Sequence, residues 1–253
     1  MKLTVIGCAG SFAGPESAAS CYLLEAPFEG GTFRLLLDLG SGAFGALQRH
    51  IDPIDVDAIS LSHLHADHCF DISGMYVYRK YHPAGRASQI PVIAPAGADW
   101  QLSNAYGTTE PNGMTLPFDF REHVDGQSHH VGPFTITSML VDHPVPTYAV
   151  KVTVGGSSLV YSGDTAYMDS LADFVRGADA FLCESSFVES ADNPPGLHVT
   201  GAEAGTIATD AQVSRLLVTH IPSWTARDEV ERDVLTTYTG EYRIVEAGES
   251  FDI

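Results

Sequence analysis

The sequence predicts an α+β fold of two similar halves, each a sheet with helices on its outer side, packed sheet to sheet. Three observations predict it. Strand-like runs come first and then alternate with helix-like runs, and this order occurs twice along the chain. No linker divides the two occurrences, so residues 1–253 read as a single domain. Hydrophobic residues make up 44% of the chain, enough for a sizeable core.

The first half opens with an alternating strand over 2–6, which meets a Gly-rich turn, Gly7-Cys8-Ala9-Gly10-Ser11. Residues 20–25 and 32–38 read as the next strands, with 27–31 as a hairpin loop. Asp38-Leu39-Gly40-Ser41-Gly42 leads into a helix over 43–49. Its glycines admit a phosphate-binding reading, but no Walker lysine or dinucleotide spacing accompanies them. Asp38 reads instead as support for a neighbouring loop. Residues 56–61 form a strand, and 72–81 an amphipathic helix in which Tyr76, Tyr78, Arg79, Lys80 and Tyr81 interleave basic and aromatic side chains. That interleaving suits a contact to an anionic, ring-bearing ligand as well as it suits a plain polar helix edge. A strand over 91–94, a helix over 96–104, a Gly/Pro-rich rim or lid over 108–117 and a strand over 118–123 complete the half.

The second half repeats the order. His129 and His130 are expected as surface residues in a polar turn. A strand over 134–141 ends at Asp142-His143-Pro144, and strands over 148–154 and 158–161 form a hairpin about Gly155-Gly156. Ser162-Gly163-Asp164-Thr165 follows, then a helix over 169–176 and an apolar strand over 180–183 that ends at Glu184. After a loop comes His198-Val199-Thr200, a helix over 202–211 and a strand over 215–219 with His220 at its end. A charged amphipathic helix, 227–238, precedes the last strand, 242–245.

Composition excludes several classes of function. Thirteen Lys and Arg against 32 Asp and Glu leave a formal charge of −19, which argues against a long nucleic acid as partner. The four cysteines, Cys8, Cys21, Cys69 and Cys183, show no C-x-x-C pairing and so no zinc finger or redox motif. The chain opens on a strand without a signal-peptide pattern and carries no apolar run long enough to span a membrane, so a cytoplasmic protein with reduced thiols is expected.

Chemistry concentrates in His63-Leu64-His65-Ala66-Asp67-His68. Residues two apart in an extended stretch point to the same side, so His63 and His65 can grip one ion. A chain turning helical at Asp67 and His68 would aim those two at a second ion. Cys69 adjoins the stretch and reads as a small buried residue behind it. His143, Asp164, His198 and His220 stand at other strand ends, where open sheets place their chemistry. The arithmetic assigns His63, His65 and His143 to one ion and Asp67, His68 and His220 to the other, with Asp164 bridging. Nitrogen and oxygen donors without thiolate suit zinc first, and manganese or iron as well.

This pattern resembles the metallo-β-lactamase superfamily over nearly the whole chain. Glu184 with His198-Val199-Thr200 resembles its ribonuclease Z branch. Gly14-Pro15, Ala46-Leu47-Gln48-Arg49-His50, Tyr81-His82-Pro83 and Thr219-His220-Ile221-Pro222 look closest to the actinobacterial-type cyclic nucleotide phosphodiesterases. The resemblance implies a four-layer αβ/βα sandwich and a hydrolase with two divalent metal ions. The tRNA-processing enzymes carry a protruding arm between the residues matching His143 and Asp164; here a short hairpin fills that interval.

The expected activity is hydrolysis of a small anionic phosphodiester, foremost 3′,5′-cyclic AMP, to the monophosphate. Water between two ions, its pKa lowered from about 15.7 toward neutrality, attacks phosphorus in line. Asp67 orients the water or accepts its proton. His198, held by Glu184, donates to the leaving oxygen or steadies the phosphoryl group. The rivals are a ribonuclease Z-type tRNA 3′-processing endonuclease, a lactone or thioester hydrolase, and a non-catalytic metal-binding protein. Tyr76, Arg79, Trp224 and the 108–117 segment are candidates for base and phosphate contacts, and a homodimer is a family-based expectation.

Overall fold

Two β-sheets lie face to face with helices on their outer sides in the computed structural model, which describes residues 1–108, 112–190 and 192–253. The chain runs through β1 (Lys2–Ala9), β2 (Ala18–Ala19), β3 (Cys21–Phe28), β4 (Gly31–Leu37), α1 (Ala43–Leu47), β5 (Ala58–Ser60), α2 (Ala66–Cys69), α3 (Ile72–Tyr81), β6 (Ile90–Ala94), α4 (Ala98–Tyr106) and β7 (Phe118–Glu122). It continues through β8 (Ser128–Val131), β9 (Phe134–Val141), β10 (Thr147–Val154), β11 (Ser157–Tyr161), α5 (Asp169–Val175), β12 (Ala180–Glu184), α6 (Gly201–Ala211), β13 (Arg215–Thr219), α7 (Arg227–Thr237), β14 (Glu241–Ile244) and β15 (Ser250–Asp252).

The first sheet has the order β15-β1-β3-β4-β5-β6-β7, with β2 attached to β1, and the second β14-β13-β12-β11-β10-β9-β8. Each half passes from antiparallel strands to a parallel run with helical crossovers: β4 to β7 in one, β11 to β14 in the other. Parallel strands end on the same side of a sheet, so both halves deliver their loops to one end of the molecule.

The period of two in the strands makes the layers. In β4, Leu35 and Leu37 face the second sheet, where they join Ile136, Val152, Leu159, Leu182 and Leu217. Leu36 between them faces outward, packing with Ile59, Val92 and the helix residues Leu47, Met75 and Leu102. In β13, Leu217 points inward while Leu216 and Val218 meet Leu171, Ile207, Val230 and Val234 of α5, α6 and α7. The result is helix, sheet, sheet, helix, an α+β sandwich. Among the described residues no helix is long and apolar enough to cross a membrane.

The structure corrects four local expectations. His129 and His130 lie in β8, not in a turn, because Ser128–Val131 pairs with β9 in register His129 to Ile136. The chain does not finish in the second sheet: β15 returns to the first and pairs antiparallel with β1. Arg79 is not on a polar helix edge. It is buried and donates to the carbonyls of Pro53, Ile54, Val56 and Ser88, all within 3.3 Å, so its guanidinium ties the 3-10 turn at Pro53–Asp55 and the chain at Ser88 to α3. Tyr76 is buried beside it in the α3 layer, so neither residue is available to a ligand. The expected lid over 108–117 lies partly outside the described residues; its described end is tied down by Met114 N, which donates to Ser103 Oγ.

A further polar group is buried between the sheets. His123, just past β7, meets Ser60 Oγ at 3.3 Å and Ser138 Oγ at 2.7 Å and stacks on Tyr148. Burial, and then the charge of His129, pushes its pKa from 6.5 down to about 3, so the folded protein keeps it neutral. Unfolding frees it to bind a proton from about pH 6.5 downward. Its contribution to stability is therefore complete above that value and is lost as pH falls toward the folded pKa. The loss approaches about 1.4 kcal/mol per pH unit. Urea unfolding at stepped pH should show the wild type losing stability more steeply by that amount than His123→Gln; equal slopes would remove His123 from the acid response.

Candidate metal centre

The loop after β5 explains the convergence of donors. β5 ends at Ser60, and His65, just before α2, is extended with φ −69° and ψ 151°. The rings of His63 and His65 meet, His63 Nε2 to His65 Nδ1 at 3.0 Å. At Ala66 the chain turns into α2, and its first turn carries Asp67 and His68 in another direction. Gly40 makes room for this turn: a Cβ there would sit 1.8 Å from the Asp67 carbonyl oxygen. Close approach, not phosphate binding, accounts for that glycine.

The second half supplies the remaining donors from strand ends. His143 follows β9, Asp164 follows β11, Glu184 closes β12 and His220 follows β13. His198 precedes α6 and is placed by its cap. Thr200 Oγ1 accepts from Glu203 N while Glu203 Oε2 accepts from Thr200 N, a reciprocal capping box that fixes the entry of the chain. All nine residues come together in one largely buried region.

Among the described residues two donor groups there share Asp164, and Glu184, His198 and His220 make a third. In the first, His65 Nδ1 lies 3.0 Å from His63 Nε2 and 3.2 Å from His143 Nε2. Asp164 Oδ2 is 3.7 Å from His63 Nε2. In the second, His68 Nε2 and His220 Nε2 are 3.1 Å apart. Asp67 Oδ2 lies 3.3 Å from the former and 3.1 Å from the latter. Asp164 Oδ1 lies 3.2 and 3.4 Å from the same two nitrogens. Ligands about 2.0–2.1 Å from a tetrahedral ion are separated from one another by about 3.3 Å, so these spacings are those of two cation cages sharing Asp164.

The protonation pattern fits the same reading. His68 Nδ1 donates to Asp38 Oδ2 at 2.7 Å, and His143 Nδ1 to the Leu197 carbonyl at 2.9 Å. Ser62 Oγ donates to Asp38 and thus accepts from His63 Nδ1; Ser186 Oγ donates to the His220 carbonyl and accepts from His220 Nδ1. With Nδ1 of His63, His68, His143 and His220 carrying the proton, their Nε2 atoms present lone pairs to the two groups, and His65 turns its Nδ1 there instead. Asp164 Oδ1 is buried and has no hydrogen-bond partner. Facing lone pairs and an orphaned carboxylate oxygen call for positive charge between them, and divalent cations fit.

Electrostatics agree in direction. Burial, then the neighbouring His68, holds His63 well below its usual range, and burial lowers His65 and His143. Neutral imidazoles are the form that ligates. Burial works against charge on His68, yet Asp164 and Asp38 on its two sides outweigh it and raise its pKa well above 6.5. That site demands a cation, proton or metal. Asp164 and Asp67 are held below the carboxylate range, against burial, by the imidazoles around them.

His198 stands apart from both cages and overlooks each. Its ring centroid is 5.6 Å from those of His143 and His220. Its Nδ1 bonds Glu184 Oε1 at 2.8 Å, and that carboxylate is itself fixed by Thr165 N and Ser186 N. Burial opposes its charge, but the Glu184 carboxylate raises its pKa to about 9. Cys69 is buried and donates to the His65 carbonyl, outside both cages. The sequence marks none of the supporting hydroxyls: Ser62 adjoins the histidine cluster without distinction, and Ser186 and Tyr161 carry no pattern at all.

Comparison with known proteins follows this geometry. The model of the β-lactamase superfamily domain matches residues 34–221. A protein of Mycobacterium leprae, described as uncharacterised, is 46% identical over 257 aligned positions, covering 100% of this chain and 89% of its own length. The Bacillus subtilis protein named Probable metallo-hydrolase YhfI is 32% identical and covers 98% of both chains. Its crystal structure matches with a TM-score of 0.85 over 99% of each chain. The short form of human tRNase Z matches with a TM-score of 0.77 at 20% identity, covering 100% of this chain and 99% of its own, a likeness of fold alone.

Asp38 is the support that a single substitution tests. Asp38→Asn keeps the shape but weakens acceptance from His68 Nδ1, so metal affinity should fall about 10- to 100-fold. Competition against a chelating dye measures this; an unchanged affinity would show that the ligands orient themselves.

Proposed function

The chain belongs to the metallo-β-lactamase superfamily, and from that premise we propose that this metallo-hydrolase is a phosphodiesterase that opens a small cyclic phosphodiester, foremost 3′,5′-cyclic AMP, to the nucleoside monophosphate. The observation that carries the reading is the Glu184–His198 pair set over both donor groups. His63, His65, His143 and Asp164 would hold one divalent cation, and Asp67, His68, Asp164 and His220 the other. Zinc suits these nitrogen and oxygen donors best, with manganese or iron as substitutes. Bound there, such ions activate water near neutral pH and offset charge on phosphoryl oxygens.

The protein's own groups account for the rest. Glu184 accepts a hydrogen bond from His198 Nδ1, which leaves the Nε2–H of the imidazolium as the available donor. A pKa raised to about 9 keeps that proton in place at neutral pH, ready for the leaving alkoxide. Glu184 cannot turn away, because Thr165 N and Ser186 N hold its two oxygens. Asp67 directs Oδ2 toward His68 and His220, which leaves its second oxygen to orient the attacking water.

Size selection follows from charge and shape. A chain of formal net charge −19 repels a long polyanion and leaves a small anion to the cages. The interval between His143 and Asp164 is occupied by the β10–β11 hairpin, with no arm to hold an RNA. Both points support our putting the tRNA-processing reading second.

Purified, metal-loaded protein assayed against a panel of cyclic nucleotides and a precursor tRNA decides between them. Cyclic AMP should be turned over, and His198→Ala should lower kcat by roughly 10²–10⁴ while two metals per chain remain. Asp164→Ala should lose metal and activity together. Cleavage of the precursor tRNA without turnover of any cyclic nucleotide would overturn the proposal.

A further inference from the structure

Two aromatic rings stand at the rim of the second donor group. The Ser11 backbone N–H points at His220 Nε2 across 3.4 Å, so the turn over 10–13 runs beside that group. Phe12 is the next residue, its Cα about 3.8 Å further along the chain. Trp224 follows His220 on the adjoining loop. The two rings meet at 4.6 Å with an interplanar angle of 51°.

Both loops are held in place. A Cβ on Gly10 would lie 2.3 Å from the His220 carbonyl oxygen, so the two loops run flush. Phe12 N donates to Gly10 O, Ile221 N to Cys8 O and Thr225 N to Pro222 O. Ser11 takes the left-handed region at φ 62° and His220 at φ 57°, backbone strain of the kind kept at functional sites. Yet Trp224 is 74% exposed and Phe12 only half-buried. The indole therefore adds little to the core and stands open to solvent on the loop that leaves His220. A planar ring carried by a ligand held at the donor groups would have this surface to cover.

We propose that Phe12 and Trp224 form a stacking platform for the nucleobase of a nucleotide whose phosphodiester lies at the metal centre. This rests on the phosphodiesterase reading and names what would distinguish a nucleotide from other phosphodiesters. Stacking tolerates any base, so the platform gives affinity for nucleotides as a class without choosing adenine over guanine.

The chain has two tryptophans, so Trp100→Phe leaves Trp224 as the sole indole reporter in the full-length, metal-loaded protein. Titration with adenosine 5′-monophosphate should quench its emission saturably, and ribose 5-phosphate, equally anionic but without a base, should not. In turnover, Trp224→Ala should raise KM for cyclic AMP roughly 5- to 150-fold with kcat little changed, and Trp224→Phe should restore most of the loss. Equal quenching by the two phosphates, or an unchanged KM in Trp224→Ala, would overturn the platform. Selective quenching by the nucleotide without turnover of cyclic AMP would uphold the platform and sink the phosphodiesterase reading. Turnover without selective quenching would do the reverse.

Discussion

The carboxylate of Asp38 is the constraint on which the rest of the centre depends. It is fully buried and accepts from Ser62 N, Ser62 Oγ, His68 Nδ1 and Tyr161 Oη, at distances from 2.6 to 2.8 Å. Each bond acts on a different part. Ser62 anchors the extended stretch and passes the constraint to His63. His68 is turned so that its other nitrogen faces the second cage. Tyr161 belongs to the opposite sheet, so the same carboxylate ties the halves together. A buried charge of this kind is tolerated because every oxygen is satisfied; removing one donor would leave the others around an undersatisfied anion. Asp38 itself adopts φ 58°, a conformation costly for a residue other than glycine, which the four bonds hold.

Much of this was legible before any coordinates. The spacing within His63 to His68 implied two directions of projection, and the extended-to-helical change at Ala66 is the physical reason. The positions of β12 and β13 were readable because each is a short run with an apolar middle ended by a polar residue. What escaped was whatever depends on contacts distant in sequence. Tyr161 and Ser186 look like any strand or loop residue until the sheets are stacked. Phe12 lies in a Gly-rich turn where nothing local ties it to Trp224. Arg79 misled because a periodic helix face shows that a residue is near the edge of the buried stripe, not which carbonyls wait across it. β15 escaped because three residues of edge strand carry too little alternation to stand out.

The acidic surface and the buried centre are two sides of one arrangement. Carboxylates inside the centre are matched by imidazoles and by the places made for cations, so they contribute little to the outer field. Outside the centre, arginines pair with some carboxylates, such as Glu25, Asp119, Glu241 and Glu249, and the excess of acidic groups sets the charge that an approaching anion meets. On the proposed reading, a small anion meets less of that field than a long polyanion does.

The donors are divided between the halves. His63, His65, Asp67 and His68 come from the first; His143, Asp164 and His220 come from the second. Neither half can complete a cage, so a bound ion is also a clasp across the seam between the sheets. Folding and metal supply are then thermodynamically linked: the native state is favoured by mass action, by about 2.7 kcal/mol when the free ion stands at 100 times its dissociation constant. A cell that depletes the ion would therefore lose more than turnover. It would loosen the joint between the sheets, so that protein abundance itself would report the local supply of metal.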